Sequence, residues 1–324
     1  MILITEFMDE SVIDSLSEKH STVYDVTLAE DKARLSEAIE PVEALIVRNK
    51  TIVDAELLSH GPNLKCIGRL GIGLDNIDVP SCEARNIPVF PAIGANIESV
   101  AEYVIGTAMI LLRGAYGENA SLIAGSWNRT DCIGSEISNK RLGLLGLGAI
   151  GRKTATKALC LGMDVQAHDP FVCPDDDLWN SIKPVEMDEL ARTSDVVSVH
   201  VPLVETTFHL IDRVFINKCK VGAIIINTSR GGVVEEESLI EALKAGKLGG
   251  AALDVFEKEP LDRDGGKRFS GLNNLILTPH IAGVTKESNY RVSKMIAEKV
   301  LGCLDHQILN SSERRNGLYA HTDR

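Results

Sequence analysis

The chain has 324 residues, of which 44% are hydrophobic and 25% are charged. This length suggests two domains, and this composition excludes a disordered or fibrous protein. A formal net charge of -12 at pH 7 disfavours nucleic acid or an anionic membrane as a partner, so an anionic ligand needs a local group of donors.

Short apolar runs alternate with segments of helical period along the chain. The predicted strands form a first series at 2–5, 22–27, 44–47, 66–70 and 88–90, and a second series at 141–146, 164–169, 196–200, 223–228, 249–255 and 274–280. The second series is almost uninterrupted in apolar character, as strands buried on both faces are. Strands separated by helices predict right-handed crossovers and parallel sheets.

Two long helical patterns complete the chain, one at 96–124 and one at 285–309. We expect an α/β fold with two doubly wound parallel-sheet domains of Rossmann or flavodoxin-like type and a cleft between them. The first domain is expected to be discontinuous, at 1–99 with 288–324, and the second, at 100–287, to be inserted into it.

Cysteine usage and the N-terminus indicate the compartment. Seven scattered cysteines without a Cys-x-x-Cys pair predict neither a disulfide framework nor a metal site and favour the reducing cytoplasm. The opening MILITEFMDE has no basic segment and predicts a strand, not a signal peptide. The longest apolar stretch, 103–112, is too short for a bilayer span of about 20 residues.

A Gly-x-Gly-x-x-Gly motif, Gly146-Leu147-Gly148-Ala149-Ile150-Gly151, follows the first strand of the second series and precedes a helical run. Such glycines allow a tight turn, close approach to a pyrophosphate and close helix packing, while the helix N-terminus binds the anion. Asp169 ends the next strand, where a carboxylate accepts from ribose hydroxyls and repels a 2′-phosphate. The motif therefore predicts an NAD site in preference to NADP. Read without this context, the glycines are equally compatible with a flexible turn.

A second glycine pair, Gly71 and Gly73, follows the predicted strand at 66–70 but lacks the third glycine. It is either an ordinary strand-end turn or a loop whose amides bind a small anion such as a carboxylate.

Three polar residues follow strands of the second series, where ligands bind in doubly wound sheets. His280 suits proton transfer near neutral pH, and Arg230 can bind a carboxylate through two hydrogen bonds. A Glu259 carboxylate bonded to His280 would orient the ring and favour its charged form. Each also has a structural interpretation, as a strand-end histidine, a surface ion pair or one acidic residue among 46.

The segments LGLLGLGAIG, INTSRGGVV, LDVFEKEP and LTPHIAG, in that order, resemble the D-isomer-specific 2-hydroxyacid dehydrogenase family. The first half adds LIVRNKT, GRLGIGLDNIDV and NIESVAEY, most like the phosphoglycerate dehydrogenase branch. The segments ITEFMDE, AHDPFV and HIAGVTKESNYR resemble the sulfolactate dehydrogenases of that branch. The resemblance covers nearly the whole chain. It implies an NAD-dependent oxidoreductase that interconverts a small anionic 2-hydroxy acid and its 2-oxo acid, of the 3-phosphoglycerate, sulfolactate or glycerate type. It also implies that 1–99 with 288–324 binds substrate and that 100–287 binds NAD.

The resemblance further implies residue roles. Arg230 would bind and polarise the 2-oxo acid, His280 would be the acid/base, and Glu259 would pair with it. The implied cofactor contacts are Gly146, Gly148, Ala149, Ile150, Gly151, Asp169, Val201, Pro202, Thr228, Ser229, Arg230, Asp254, His280 and Gly283. The implied substrate contacts are Arg48, Leu70, Gly71, Ile72, Gly73, Arg230 and His280. Arg48, helped by Lys50, would face a distal anion of the substrate, and Arg69 is a weaker candidate.

The sequence departs from the family pattern in two ways. Ala149 stands where many members have a larger or basic residue, and no C-terminal regulatory domain is expected. The family usually forms homodimers through the cofactor domain, so the helix at 96–124 is either a subunit interface or a buried helix.

Two alternatives remain open. A formate dehydrogenase is disfavoured by Glu259, because those enzymes resemble this chain but pair the histidine with glutamine. An NAD-sensing corepressor-like binding protein keeps the same motifs and is disfavoured only by the acidic surface and the lack of an appended tail.

Overall fold

The computed structural model describes residues 1–173 and 175–305. The chain divides into two compact units. The first unit comprises Met1–Asn96 together with the described residues from Val284 onward, and the second unit is Ile97–Gly283.

The first unit contains a five-stranded sheet in which every pair of neighbouring strands is parallel. Its strands are β1 (Ile2–Ile4), β2 (Thr22–Tyr24), β3 (Ala44–Val47), β4 (Cys66–Arg69) and β5 (Val89–Pro91). Their order is β2-β1-β3-β4-β5, so the winding reverses between β1 and β3. In doubly wound sheets, ligands bind beyond the carboxyl ends of the strands at this point of reversal.

The described residues of the first unit form five α-helices: α1 (Glu10–Ser17), α2 (Lys32–Ala38), α3 (Ala55–His60), α4 (Val79–Ala84) and α12 (Lys286–Leu304). An aspartate or threonine directly before each helix accepts a hydrogen bond from an amide of its first turn, which satisfies an otherwise unpaired donor. Helix α12 packs on β4, where a Cβ on Gly68 would lie 2.5 Å from Ile296. The last helix is therefore part of the core of the first unit.

The second unit contains a seven-stranded sheet, also parallel throughout. Its strands are β6 (Arg141–Leu145), β7 (Asp164–His168), β8 (Lys183–Pro184), β9 (Val196–Val199), β10 (Ala223–Asn227), β11 (Leu248–Leu253) and β12 (Leu275–Leu277). The order β12-β11-β10-β9-β6-β7-β8 reverses between β6 and β9 and is that of a Rossmann sheet with one added strand.

In the described part of the second unit, the α-helices are α5 (Ile97–Arg113), α6 (Asn119–Ile123), α7 (Ala149–Cys160), α8 (Met187–Thr193), α9 (Arg213–Lys218), α10 (Glu236–Lys244) and α11 (Arg263–Lys267). Each unit has its own pair of apolar clusters, so each sheet is covered by side chains of the same unit.

The α/β class and the two parallel sheets confirm the predicted fold class. The single helix predicted at 96–124 is wrong, because Gly114 adopts φ +64, a left-handed conformation that ends α5 and that glycine adopts without strain. The edge strand β8 is not predicted, since Lys183-Pro184 carries no strand pattern. The predicted helix at 285–309 corresponds to α12, and its last residues, 306–309, lie outside the described residues.

Of the helices in the described residues, none has the length and apolar character that crossing a bilayer requires. In the same part of the chain, no group of three or more His, Cys, Asp or Glu side chains has an arrangement that would hold a metal ion.

Candidate active site

The glycine motif lies between β6 and α7. Gly146 has φ +91, and a Cβ there would lie 2.9 Å from the His200 carbonyl oxygen. A Cβ on Gly151 would lie 2.5 Å from the Gly146 carbonyl oxygen. The first and third glycines are therefore required by the packing of strand on helix.

Gly148 is different, because a Cβ there would meet nothing within 4 Å. No side chain caps the start of α7, so the N–H groups of its first turn, which begins at Ala149 and Ile150, remain available to an anion. Open space beside unpaired helix amides fits a pyrophosphate, and NAD therefore fits this loop.

Asp169 lies beyond β7 and is half-buried. Its Oδ2 accepts a hydrogen bond from the Leu147 amide at 2.7 Å, and its Oδ1 accepts one from the Phe171 amide at 2.9 Å. The carboxylate is thus fixed against the glycine loop, and a 2′-phosphate at this position would be repelled.

Beyond β9, at the point where the winding reverses, lie His200, Val201 and Pro202. Burial lowers the pKa of His200 to about 4, so the ring is neutral at pH 7, and its Nε2 lies 2.9 Å from Ser198 Oγ. His200 therefore adds no charge beneath the glycine loop. Val201 is half-buried and Pro202 is exposed.

Arg230 lies in a turn after β10 that Asn227 organises. The buried Asn227 side chain accepts from the Ser229 amide at 3.0 Å and donates to the Arg230 carbonyl at 2.9 Å. The Arg230 guanidinium donates to the Ser229 carbonyl at 2.8 Å. Thr228 Oγ1 is buried and has no hydrogen-bond partner among the described residues, which indicates a polar ligand here. The Asn-Thr-Ser pattern is the sequence signal that marks Asn227.

The turn of Arg230 packs directly on the loop that carries Glu259. A Cβ on Gly231 would lie 1.9 Å from the Phe256 carbonyl carbon, so only glycine allows this approach. The Glu236 amide donates to Glu257 Oε1 at 3.1 Å, and the Glu257 amide donates to Glu236 Oε1 at 2.7 Å. These reciprocal bonds fix the two loops against each other.

His280 and Glu259 form a close pair, with His280 Nδ1 at 2.7 Å from Glu259 Oε2. Burial raises the pKa of Glu259, but hydrogen bonds from His280 and the Phe256 amide outweigh it and hold the pKa below its ordinary value. Glu259 is therefore ionised and can only accept, so Nδ1 carries the hydrogen. The other ring nitrogen, Nε2, is left for proton exchange, and the side chain is 54% exposed.

Asp254 holds the loop of His280 in place. Its Oδ1 accepts from Thr278 Oγ1 at 2.6 Å and from the Ile281 amide at 2.8 Å, while its Oδ2 accepts from the Ala282 amide at 2.8 Å. The loop needs this support because His280 has φ +52, which is unfavourable for a residue other than glycine. Asp254 is 1% exposed. Gly283, which comes directly after Ala282 in the loop of His280, is half-buried.

In the first unit, Arg48 directly follows β3. Its guanidinium donates to Asn289 Oδ1 at 3.1 Å and lies 6.0 Å from the centre of the Phe7 ring. Among residues 1–173 and 175–305, no carboxylate pairs with this guanidinium. Lys50 is exposed and pairs with Glu30 at 2.8 Å.

The loop at 70–73 directly follows β4. The Leu70 amide donates to the Val47 carbonyl and the Gly71 amide to the Arg69 carbonyl, both at 2.8 Å, and the Leu70 side chain is buried. The amides of Ile72 and Gly73 have no acceptor in the described part of the chain. These two amides are therefore free to donate hydrogen bonds to a small anion.

Known proteins share the sequence and the fold of this chain. The family model for the D-isomer specific 2-hydroxyacid dehydrogenase, NAD binding domain, matches residues 105–282. An (S)-sulfolactate dehydrogenase from Chromohalobacter salexigens is 49% identical over 92% of this chain and 96% of its own length. A D-3-phosphoglycerate dehydrogenase from Archaeoglobus fulgidus is 38% identical over 93% of this chain, which spans only 56% of that protein.

Among solved structures, the D-lactate dehydrogenase of Aquifex aeolicus, complexed with NAD and lactic acid, has a TM-score of 0.82 at 28% identity. The match covers 95% of this chain and 96% of that one. The TT0316 protein of Thermus thermophilus has a TM-score of 0.86 at 30% identity and covers 94% and 97% of the two chains.

A Rossmann sheet with an NAD-fitting glycine loop, beside a histidine–carboxylate pair and an arginine, defines an NAD-dependent oxidoreductase. The chain belongs to the D-isomer-specific 2-hydroxyacid dehydrogenase family. It catalyses NAD-dependent oxidoreduction of a 2-hydroxy acid, and the expected cofactor and reaction class are confirmed.

Proposed function

We propose that His280, Glu259 and Arg230 form the reaction centre of this dehydrogenase. The observation that supports the proposal most directly is the 2.7 Å contact between His280 Nδ1 and Glu259 Oε2. This contact fixes the ring and leaves Nε2 as the group that exchanges a proton. Arg230, in the adjoining turn, binds the carboxylate of the acid and polarises its 2-oxo group.

NAD, when bound by the second unit, would supply the hydride chemistry at C2 of the acid in either direction. In the reductive direction, protonated His280 gives its Nε2 proton to the carbonyl oxygen as that oxygen gains charge. In the oxidative direction, neutral His280 removes the hydroxyl proton. Glu259 stabilises the charged ring in both directions because it remains ionised.

We propose that the second unit, Ile97–Gly283, holds NAD and that the first unit binds substrate. The first-turn amides of α7 would bind the pyrophosphate, with Gly148 allowing its close approach, and Asp169 would bind the ribose. Thr228 Oγ1, which is buried and lacks a partner in the described residues, would donate to or accept from the cofactor. Ile72 and Gly73 would bind the substrate carboxylate through their amides.

We propose a substrate with a second anionic group, bound by Arg48, and we favour a 2-hydroxy acid with a distal sulfonate. A half-buried guanidinium without a carboxylate partner among the described residues is suited to a sulfonate or phosphate. The 49% identical relative is named (S)-sulfolactate dehydrogenase, which supports the sulfonate over the phosphate.

The test measures kcat/KM with NADH for sulfopyruvate, phosphohydroxypyruvate, hydroxypyruvate and pyruvate. We expect sulfopyruvate to be preferred, and Arg48→Ala to reduce kcat/KM for the two dianionic acids by about 30-fold, as lost charged hydrogen bonds do, with little effect on pyruvate. His280→Ala should reduce kcat for every acid while NADH still binds. Equal losses for pyruvate and sulfopyruvate in Arg48→Ala would contradict the role of Arg48, and near-normal turnover in His280→Ala would contradict the reaction centre.

We also propose a cytoplasmic homodimer. The seven cysteines are free, which suits a reducing compartment.

The segment between α5 and β6 exposes large apolar side chains, with Ile123 at 87%, Trp127 at 78% and Ile133 at 79% exposure, and such patches are typical of interfaces. Light scattering of the protein and of Trp127→Asp tests this assembly, and a monomeric parent protein would contradict it.

A further inference from the structure

The position of Arg48 is set by a buried polar cage at the carboxyl ends of β1 and β3, where the winding of the first unit reverses. Glu6 is only 5% exposed, yet its two oxygens accept hydrogen bonds from four consecutive amides, at residues 48–51, over 2.8–3.0 Å. Burial raises the pKa of Glu6, but these four donors outweigh it and hold the pKa below its ordinary value. Glu6 is therefore ionised at neutral pH, and its carboxylate orders the backbone of Arg48.

A second group of buried residues completes the cage. Asn76 donates to the Thr51 carbonyl at 2.7 Å and to the Arg48 carbonyl at 3.3 Å, and Thr5 Oγ1 lies 2.8 Å from Thr51 Oγ1. Asn76 is 8% exposed, and the two threonines are fully buried. Since the four amides and the carbonyls of Arg48 and Thr51 are hydrogen-bonded internally, the cage fixes the backbone from which the Arg48 side chain extends.

The direction of the guanidinium is set by two other residues. Phe7 lies 6.0 Å from it on one side, and Asn289, near the start of α12, accepts from Nη2 at 3.1 Å. Glu6 uses both oxygens on backbone amides, and no ion pair joins it to Arg48 among the described residues. A neutral amide thus holds the guanidinium without cancelling its charge, as a carboxylate partner would.

We propose that Asn289 is a positioning residue that determines specificity, because it orients Arg48 toward the distal anion of the substrate. The inference rests on the proposed function, in which Arg48 binds that anion. An aspartate at this position would form an ion pair with Arg48 and neutralise it, whereas an alanine would only release the guanidinium.

The test compares Asn289→Asp and Asn289→Ala with the parent protein, using sulfopyruvate and pyruvate. We expect Asn289→Asp to reduce kcat/KM for sulfopyruvate by about 30-fold, because an Arg48 paired with a carboxylate no longer makes its charged hydrogen bond to the anion. We expect Asn289→Ala to reduce it by about fivefold, because the guanidinium keeps its charge and loses only its orientation. The loss with sulfopyruvate should appear as a higher KM with little change in kcat. For pyruvate, kcat/KM should change by less than about threefold. Asn63→Asp adds the same charge at an exposed position of the first unit and should leave the substrate preference unchanged.

A double mutant separates positioning from general damage. If Asn289 acts through Arg48, then adding Asn289→Ala, which introduces no charge, to Arg48→Ala should cause no further loss with sulfopyruvate, because coupled residues are not additive. Additive losses, or equal losses with pyruvate, would overturn the role of Asn289. If Arg48→Ala alone affects both acids equally, the proposed function fails first, and the two failures are thereby distinguished.

Discussion

At the scale of single residues, the pair of His280 and Glu259 is the feature on which the proposed proton transfer depends. The hydrogen on Nδ1 is directed to Glu259 Oε2 at 2.7 Å, so the ring cannot turn its other nitrogen away from a substrate without losing this bond. A positive φ of 52 at His280 shows that the loop accepts strain to present the ring. Strain of this kind is characteristic of functional positions.

Glu259→Gln tests the importance of the charge in this pair. The amide retains an acceptor for Nδ1 but no longer stabilises the protonated ring, so we expect kcat for 2-oxo acid reduction to fall about 100-fold, within the range for a general acid. NADH affinity, measured by fluorescence titration, should not change. Glu259→Gln with normal kcat would show that the carboxylate is not needed.

We also expect Glu259→Gln to change how the free energy of unfolding depends on pH. Because the folded protein holds the pKa of Glu259 below its ordinary value of 4.5, the ionised group stabilises the fold above that pH. This contribution is lost as the pH falls through the lowered pKa, so the parent protein should lose stability in acid more steeply than Glu259→Gln. Urea unfolding at several pH values below 5 measures the difference, and parallel curves would contradict it.

At the scale of structural elements, the glycine motif separates two requirements that the sequence presents together. Gly146 and Gly151 are required by the protein itself, since a Cβ at either would contact backbone oxygen at 2.9 Å or less. Gly148 faces open space, so no clash within the described residues requires glycine there, and the proposed pyrophosphate is the group that would need the space.

Gly148→Ala and Gly146→Ala form a matched pair that tests this separation. Gly148→Ala should keep the melting temperature of the parent but weaken NADH binding by about tenfold, or about 1.4 kcal/mol, because the methyl group occupies the pyrophosphate position. Gly146→Ala should reduce both the melting temperature and the NADH affinity, because an alanine at φ +91 destabilises the folded loop by about 1–2 kcal/mol. Thermal unfolding and NADH titration measure the two effects, and unchanged NADH affinity in Gly148→Ala would contradict the assignment of the loop.

Much of the site could be predicted from sequence because its residues lie at strand ends within short, local patterns. The glycine motif and Asp169 follow from strand positions and spacing, whereas the roles of Arg230, Glu259 and His280 are predicted only by the resemblance to the family. The cage around Glu6 could not be predicted, because its hydrogen bonds join residues 42 to 45 positions apart. The hydrogen bonds by which Asp254 supports the loop of His280 could not be predicted either, because their donors at Thr278, Ile281 and Ala282 are 24 to 28 residues away.

At the scale of the whole molecule, the chain leaves the first unit after Asn96 and returns to it at Val284. The returning helix α12 contributes buried apolar residues, namely Val292, Ile296, Ala297, Val300 and Leu304, to the core of the first unit. Burying a large aliphatic side chain contributes about 2 kcal/mol, so the four largest contribute about 8 kcal/mol. This contribution is comparable to the net stability of a typical domain, which is about 5–15 kcal/mol.

Truncation of the chain after Gly283 should therefore unfold the first unit and leave the second unit folded. Both tryptophans, Trp127 and Trp179, belong to the second unit, so tryptophan fluorescence reports on that unit alone. We expect its unfolding transition and NADH binding to persist in the truncated protein, as in the isolated fragment Ile97–Gly283, while circular dichroism loses the signal of the first unit and turnover is abolished. Simultaneous loss of the fluorescence transition and NADH binding would show that the second unit cannot fold alone. Retention of the full circular dichroism signal would show that α12 is dispensable to the first unit.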